Sequence, residues 1–167
     1  MERVANSLAQ QAINAQDEGD VNLYGRSAFN RYYYAAYLSV REMLQCGQPA
    51  HAGAAHSDLP GLLEGAVLKR IKAEVQRQVK LRLLTHGEGE GINHAATDAL
   101  TTLADILRDG YRMRVIADYK PTILATIENR RVKLEDKNSD AARNWNKRAC
   151  HAIGSVVSIW RKLGLIQ

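Results

Sequence analysis

Three prolines, two cysteines and a single phenylalanine are all that this chain of 167 residues holds of those types. Each scarcity excludes something. With so few prolines, long helices can run unbroken, because a proline inside a helix removes a hydrogen bond and clashes with the preceding turn. With Phe29 alone of its kind, Leu, Ile, Val, Ala and Tyr must build the interior. Cys46 and Cys150 supply at most one disulfide and lack the paired spacing of a zinc site, so a reducing, cytoplasmic setting is expected. There is no run of 18 apolar residues, and the first residues do not form a signal-peptide core; no membrane association is expected. A glycine-rich phosphate loop, a nucleophile elbow and an HExxH helix are also missing, which removes ATPases, elbow-type hydrolases, dinucleotide enzymes and zinc proteases. The five histidines include His51 and His56 in one loop and His86 and His94 around another, and form no ligand set. Neither a cofactor nor a metal is expected.

The residues that are plentiful favour helix. Ala, Leu, Arg and Gln dominate, and the length suits one domain over residues 1–167. A first helix is predicted over 3–17, with Val4, Leu8, Ala12 and Ala15 on one face, and Glu18-Gly19-Asp20 reads as a break. A second should span 22–45, its packed stripe being Phe29, Tyr33, Ala36, Tyr37, Val40 and Leu44. Ser57 is a candidate cap for a third helix reaching Leu84, with Leu63, Val67, Ile71, Val75 and Val79 inward. Thr85 to Ile92 is so rich in glycine that it reads as a turn or mobile loop. Leu100, Leu103, Ala104, Leu107 and Tyr111 mark a fourth helix, which Pro121 should end. The alternation from Arg131 to Glu135 predicts a short extended segment. A last helix, capped at Asn138 or Ser139, carries Trp145, Ala149, Ala152, Ile153, Val156, Ile159, Trp160 and Leu163 to Gly164. About five helices with short connections predict an all-α bundle.

Two segments depart from ordinary amphipathic patterning. Asn30-Arg31-Tyr32-Tyr33-Tyr34-Ala35-Ala36-Tyr37 places an arginine and four tyrosines in eight positions. Arg114-Val115-Ile116-Ala117-Asp118-Tyr119 ends an apolar helix with an arginine and an aspartate one turn apart. Buried charges are costly unless paired, so the two segments point to a shared polar site. Arg114 and Asp118 can form a structural pair that ties helix four to helix two through Arg31 or a tyrosine hydroxyl. Equally, Arg114 or Arg112 can hold a phosphate, for which the guanidinium fork is suited, while a polar neighbour aligns a ribose hydroxyl. Tyr33 and Tyr37 should face the core, whereas Tyr34 can follow Arg31 into a pocket, and tyrosine can stack on an unpaired base.

The net charge of +5 and isoelectric point near 9.3 fit a phosphate-rich partner. Lys69, Arg70, Lys72, Arg77, Lys80 and Arg82 lie on helix three, and Arg108, Arg112, Arg130, Arg131 and Lys133 follow later. Such groups make either a solvated face or a track for phosphates, which gives affinity rather than sequence choice.

The first segment resembles the HEPN superfamily of small helical toxin and defence proteins. Many members carry a small or polar residue, arginine, a variable residue, Tyr-Tyr-Ala and a further aromatic, as Asn30, Arg31, Tyr33, Tyr34, Ala35 and Tyr37 do here. One branch also ends a later helix with Arg-x-x-Ala-Asp-Tyr, matched by Arg114, Ala117, Asp118 and Tyr119. His56 resembles the histidine this branch carries ahead of helix three. The resemblance covers 23–163 in helix order and is specific at the two motifs. It implies an HEPN-like bundle of about five helices that forms a homodimer with the polar motifs facing each other across a cleft. Active members cut RNA without metal through Arg-x(4–6)-His, the arginine holding the phosphate and the histidine moving the proton of the ribose 2′-oxygen. This chain has Arg112 and Arg114 followed by Asp118, with no histidine at that place. An ordinary aspartate, with a pKa of about 3.9, is a weak base at neutral pH.

By resemblance, the catalytic candidates are Arg114, Asp118, Arg31, Arg112 and His56. Tyr34, Tyr119, Lys69, Arg70, Arg130 and Arg131 are the RNA-binding candidates. The expectation is an RNA-directed protein of a prokaryotic toxin–antitoxin or antiviral defence system. It would be either a metal-independent endoribonuclease or an inactive helper that binds RNA, nucleotide or a larger protein. An antitoxin, ATPase or sensor would be the partner protein, and an unrelated helical scaffold is the other reading.

Overall fold

A computed structural model describes residues 1–167. The helices are α1 (Glu2–Asn14), α2 (Glu18–Gly47), α3 (Leu59–Leu62), α4 (Leu68–Lys80), α5 (His86–Tyr119) and α6 (Ser139–Lys162). A π-helical turn, Leu63–Val67, joins α3 to α4, so the two make one rod and the rods number five. A 3-10 turn covers Pro49–His51, and β1 (Ala125–Glu128), β2 (Arg131–Leu134) and β3 (Lys137–Asn138) form a small antiparallel sheet. The expected all-α class holds, with this sheet added where the sequence suggested one extended segment. No helix is long and apolar enough to cross a membrane.

The chain packs as two compact units, Met1–Leu38 with Leu107–Lys147 (unit 1) and Ser39–Ile106 with Arg148–Gln167 (unit 2). Helices α2, α5 and α6 each give one segment to either unit.

In unit 1, α1 buries Ala5, Ala9 and Ala12, while Val4 is 49% exposed. The packed face is therefore turned from the expected Val4–Leu8 stripe toward a row of alanines, which leaves Asn6 and Glu2 to bond. Tyr32 donates its hydroxyl to Asn6 Oδ1 at 2.8 Å, and Asn146 Nδ2 donates to Glu2 Oε2 at 2.6 Å. The first helix ends earlier than expected, and Glu18-Gly19-Asp20 is the opening turn of α2 rather than a break. Its cap is Asp17, whose Oδ2 accepts the Asp20 N–H at 3.0 Å. The β1–β2 hairpin turns through Asn129 and Arg130, both with positive φ (52° and 57°), the backbone sense that matches strand twist in a two-residue turn. Gly25 lets α2 approach this hairpin, since a Cβ there would lie 2.7 Å from Ala125 Cβ and 2.8 Å from Val132 Cγ1.

In unit 2 the glycine-rich stretch is helix, not loop. Thr85 and Glu88 form a reciprocal capping box: the Thr85 N–H donates to Glu88 Oε2 at 2.8 Å, and the Glu88 N–H to Thr85 Oγ1 at 3.3 Å. Gly89 then permits close packing on α4, because a Cβ there would meet Val75 and Val79 methyls at 3.0 Å. Helix α4 buries Leu68, Ile71 and Val75 and stops at Lys80, short of Leu84, where Arg82 turns left-handed at φ 58°. The last helix ends as expected: Gly164 takes φ 67°, and the Leu165 N–H reaches back to Trp160 O at 2.8 Å.

Gly47 ends α2 directly beneath the Trp160 ring, where a Cβ would fall 2.0 Å from Cζ3. Gly47→Ala should therefore cost roughly 1–3 kcal/mol through overpacking, read as a lower urea midpoint at unchanged slope. A second expectation concerns acid. Hydrogen bonds from Arg77 and Gln78 lower the Glu74 carboxyl from 4.5 to about 2. Its stabilising contribution is complete above about pH 4.5 and disappears as pH falls toward 2. Thermal melts across that window should show less acid sensitivity in Glu74→Gln than in the wild type.

Candidate functional site

The site in unit 1 is organised by a polar row along α2. Asn22, Arg26 and Asn30 are spaced by four and so lie on one face. Asn22 Oδ1 accepts the Ala125 N–H at 2.9 Å, which fixes the start of β1. Arg26 binds the end of α5 with its whole fork: Nη2 to Ile116 O (3.0 Å), Nε to Ala117 O (2.9 Å), and Nη1 to Lys120 O (3.0 Å) and Ile123 O (2.6 Å). The last carbonyls of a helix have no partners within it, and they form the negative end of its dipole; one arginine answers both needs. Asn30 Nδ2 donates to Asp118 Oδ1 at 2.6 Å.

Asp118 is held from the other side too. Arg114 Nε lies 2.8 Å from Asp118 Oδ2, but this N–H is not aimed along a hydrogen bond, so the contact is chiefly ionic. The Arg114 guanidinium also sits over the Tyr119 ring, 5.2 Å from its centre. Burial works against the charge on Arg114, yet Asp118, Tyr119 and Tyr34 outweigh it and raise its pKa. Beside this network is a pocket of about 310 Å³, bounded by α2 from Asn22 to Arg31 and by Ala117 and Asp118. Arg31 lines it and is exposed to solvent.

Tyr33 and Tyr37 face the core as expected, but Tyr34 packs beside them and does not follow Arg31 into the pocket. Tyr33 and Tyr37 are buried and stacked, their ring centres 5.8 Å apart, and Tyr34 meets both edge-on. Gly110 makes room, since a Cβ there would come within 2.8 Å of Tyr33 Cδ2. Tyr32, the variable position of the motif, is buried as well. Burial pushes its hydroxyl up to about 12, and burial together with Tyr37 and Tyr34 pushes that of Tyr33 higher still.

Other candidates are not among the residues that line this pocket. Arg112 pairs with Glu135 and, at 2.5 Å, with Asp136, the two residues of the turn between β2 and β3. The bond to Asp136 leads the effects that raise the Arg112 pKa, and it lowers that of Asp136 in return. Arg131 pairs with Asp140 at 2.5 Å, and Arg130 sits in the hairpin turn. His56, Lys69 and Arg70 belong to unit 2. There His56 is half-buried in the turn before α3, Lys69 is exposed, and Arg70 donates to Gly47 O at 3.1 Å. All five histidines and both cysteines fall in unit 2, so unit 1 contains neither type. No three His, Cys, Asp or Glu side chains gather where they could share an ion.

Arg26 and Asn22 were not singled out from the sequence. Their signal was the four-residue spacing that leads to Asn30. Comparison with protein families, curated proteins and solved structures gives no match for this chain.

Arg26→Ala should destabilise the protein by roughly 2 kcal/mol, because several carbonyls lose a charged donor together. Arg26→Lys should recover only part of this, as an ammonium cannot reproduce the fork. Denaturant titration measures both; a loss below about 0.5 kcal/mol would mean that water serves the carbonyls as well.

Proposed function

We propose that the protein is an RNA-directed, HEPN-like component of a prokaryotic toxin–antitoxin or antiviral defence system, and that its unit 1 site binds RNA without cutting it. The observation that carries the reading is the pocket itself: Arg31 stands at its wall, next to an Asp118 already held by both Arg114 and Asn30. Arginine matches phosphate with paired donors, and the polar lining suits a sugar–phosphate backbone. The two motifs that carry the HEPN resemblance supply these residues.

Cleavage of the active-member type requires a group that moves a proton near neutral pH. Unit 1 contains no histidine, and both Asp118 oxygens are committed to neighbours. Arg112, bound to the hairpin turn, is likewise employed in structure. In this reading Arg114 and Asp118 position the end of α5, and Arg31 with Tyr119 faces the RNA. The protein acts in the cytoplasm as a homodimer or with an antitoxin, ATPase or sensor protein; its two exposed cysteines form no disulfide, which suits a reducing compartment.

Fluorescence anisotropy with a labelled single-stranded RNA tests this. Wild-type affinity should fall steeply between about 50 and about 200 mM salt. Arg31→Glu should weaken binding roughly tenfold or more and flatten the salt slope by about one phosphate contact, with helical content unchanged. RNA incubated with the protein in a chelator should stay intact. Absence of RNA binding at low salt would sink the proposal. Metal-free cleavage lost in Arg114→Ala and Asp118→Ala would make the protein a ribonuclease instead.

A further inference from the structure

We infer that the basic face of α4 and the leucine turn that ends it, both in unit 2, form a contact site for an anionic lipid surface. The whole net charge of the chain lies in this segment. Residues 68–85 hold six of the 23 basic and one of the 18 acidic residues, which leaves 17 of each sign elsewhere. No helix is long and apolar enough to cross a membrane, but a contact at the surface needs no span.

The charges on this segment are of two kinds. Arg70 donates to Gly47 O, and Arg77 is paired with Glu74 at 2.7 Å. Lys69, Lys72 and Lys80 recur on one face of α4, turned away from the buried Leu68, Ile71 and Val75. These three lysines and Arg82 are exposed and form no ion pair. The carboxylates nearest along the chain are already committed. Glu74 accepts from Arg77 and Gln78, Glu88 from the Thr85 cap, and Glu90 lies 3.5 Å from His86.

The turn that ends α4 is built against its own local preference. The Arg82 N–H reaches Val79 O at 3.0 Å and the Leu83 N–H reaches Gln78 O at 2.9 Å, the paired bonds of a Schellman cap. Such a cap favours glycine at its left-handed position, where a Cβ is crowded, yet Arg82 occupies it at φ 58°. It also brings the positions of Leu83 and Gln78 together, where an apolar pair commonly forms. Gln78 donates instead to Glu74 Oε1 and Leu163 O, so Leu83 stays 66% exposed, and Leu81 56%. Two leucines on a convex turn, flanked by Lys80 and Arg82, thus forgo the packing that a helix end would otherwise take. A lipid surface rewards both features, because leucines enter the acyl boundary while basic groups meet headgroup phosphates. RNA would answer the charge alone and leave the leucines wet, and a bound peptide needs a groove rather than a protruding turn.

Co-sedimentation of the full chain with vesicles of phosphatidylcholine, alone and mixed with phosphatidylglycerol, tests the inference. The protein should bind the mixed vesicles, leave them as salt rises, and ignore phosphatidylcholine alone. Leu81→Ser combined with Leu83→Ser should weaken binding roughly tenfold at unchanged helical content. Arg82→Gly gives a check that misfolding cannot imitate. Relief of the left-handed residue should hold or raise the thermal midpoint, while the lost charge weakens vesicle binding about fivefold. The new indole of Leu83→Trp should be quenched by lipids brominated on their acyl chains, a quenching that the buried Trp145 and Trp160 of the wild type do not show. Equal binding to both vesicle types, binding to neither, or full binding by the double leucine variant overturns the inference. RNA binding that depends on Lys69 and Lys72, without vesicle binding, overturns it by assigning the face to nucleic acid. A change of oligomeric state in the leucine variant, read by light scattering, overturns it by assigning the turn to a protein contact. None of these variants touches the unit 1 site, so RNA binding there stands or falls separately.

Discussion

The end of α5 is the place on which the unit 1 site depends, and Arg26 is what holds it. A long helix that stops at Tyr119 turns its final carbonyls out at the negative end of its dipole, that of Ile116 accepting the Lys120 N–H at 3.1 Å. Arg26 takes the carbonyls of Ile116, Ala117 and Lys120 and also that of Ile123, past the proline. Asn22 and Asn30, one turn to either side, secure the first residue of β1 and the carboxylate of Asp118. A single row of three side chains thereby fixes where the helix stops, where the sheet begins and where the pocket lies. The close approach this requires is possible because Gly25 has no side chain to place between α2 and the hairpin.

The abundance of arginine takes on a different meaning once each one is located. Arg26 caps a helix, Arg70 caps the end of α2, Arg112 holds a hairpin turn, and Arg131 ties β2 to the start of α6. These groups are spent on backbone carbonyls and carboxylates within their own units. Arg31 differs from these four in lining the unit 1 pocket without such a bond, which is why the proposed function concentrates on it rather than on net charge. The partner bonds of Arg114 and Asp118 make them a rigid boundary to that pocket. Rigid boundaries favour recognition, because a ligand then meets acceptors whose orientation is already set.

Much of the fold was legible because apolar period is a direct record of burial. The stripes from Phe29 to Leu44, from Leu63 to Val75 and from Trp145 to Leu163 are buried as their spacing required, and Pro121 and Gly164 mark real helix ends. The fold departs from the sequence pattern where a local rule is outweighed. Glycines at 87, 89 and 91 weaken a helix in isolation, yet a capping box starts it and contact with α4 rewards the bare backbone of Gly89. The packed face of α1 follows Ala5, Ala9 and Ala12 rather than Val4, so side-chain size alone does not mark its inner side. For the site, Arg31, Arg114, Asp118 and Asn30 were visible as unusual residues in helical stripes. Arg26 was not, since a helix-capping arginine acts on carbonyls, and carbonyls carry no sequence.

Sequence alone determined the central part of each long helix, because periodicity and helix-stopping residues act within a few positions along the chain, but not the glycine-containing first turns of α2 and α5. It also determined that Arg114 and Asp118 share a face, as four residues make about one turn. Only the tertiary structure decided what each charge is for. Asn30 and Asp118 are 88 positions apart, Arg26 and Ile123 97, and nothing local links them. Arg112 and Arg114 look alike in sequence, yet two residues of helix rotate them to different faces, one toward a hairpin turn and the other toward Asp118. Charge is a property of a residue, but availability for a ligand is a property of its surroundings, and those exist only after folding.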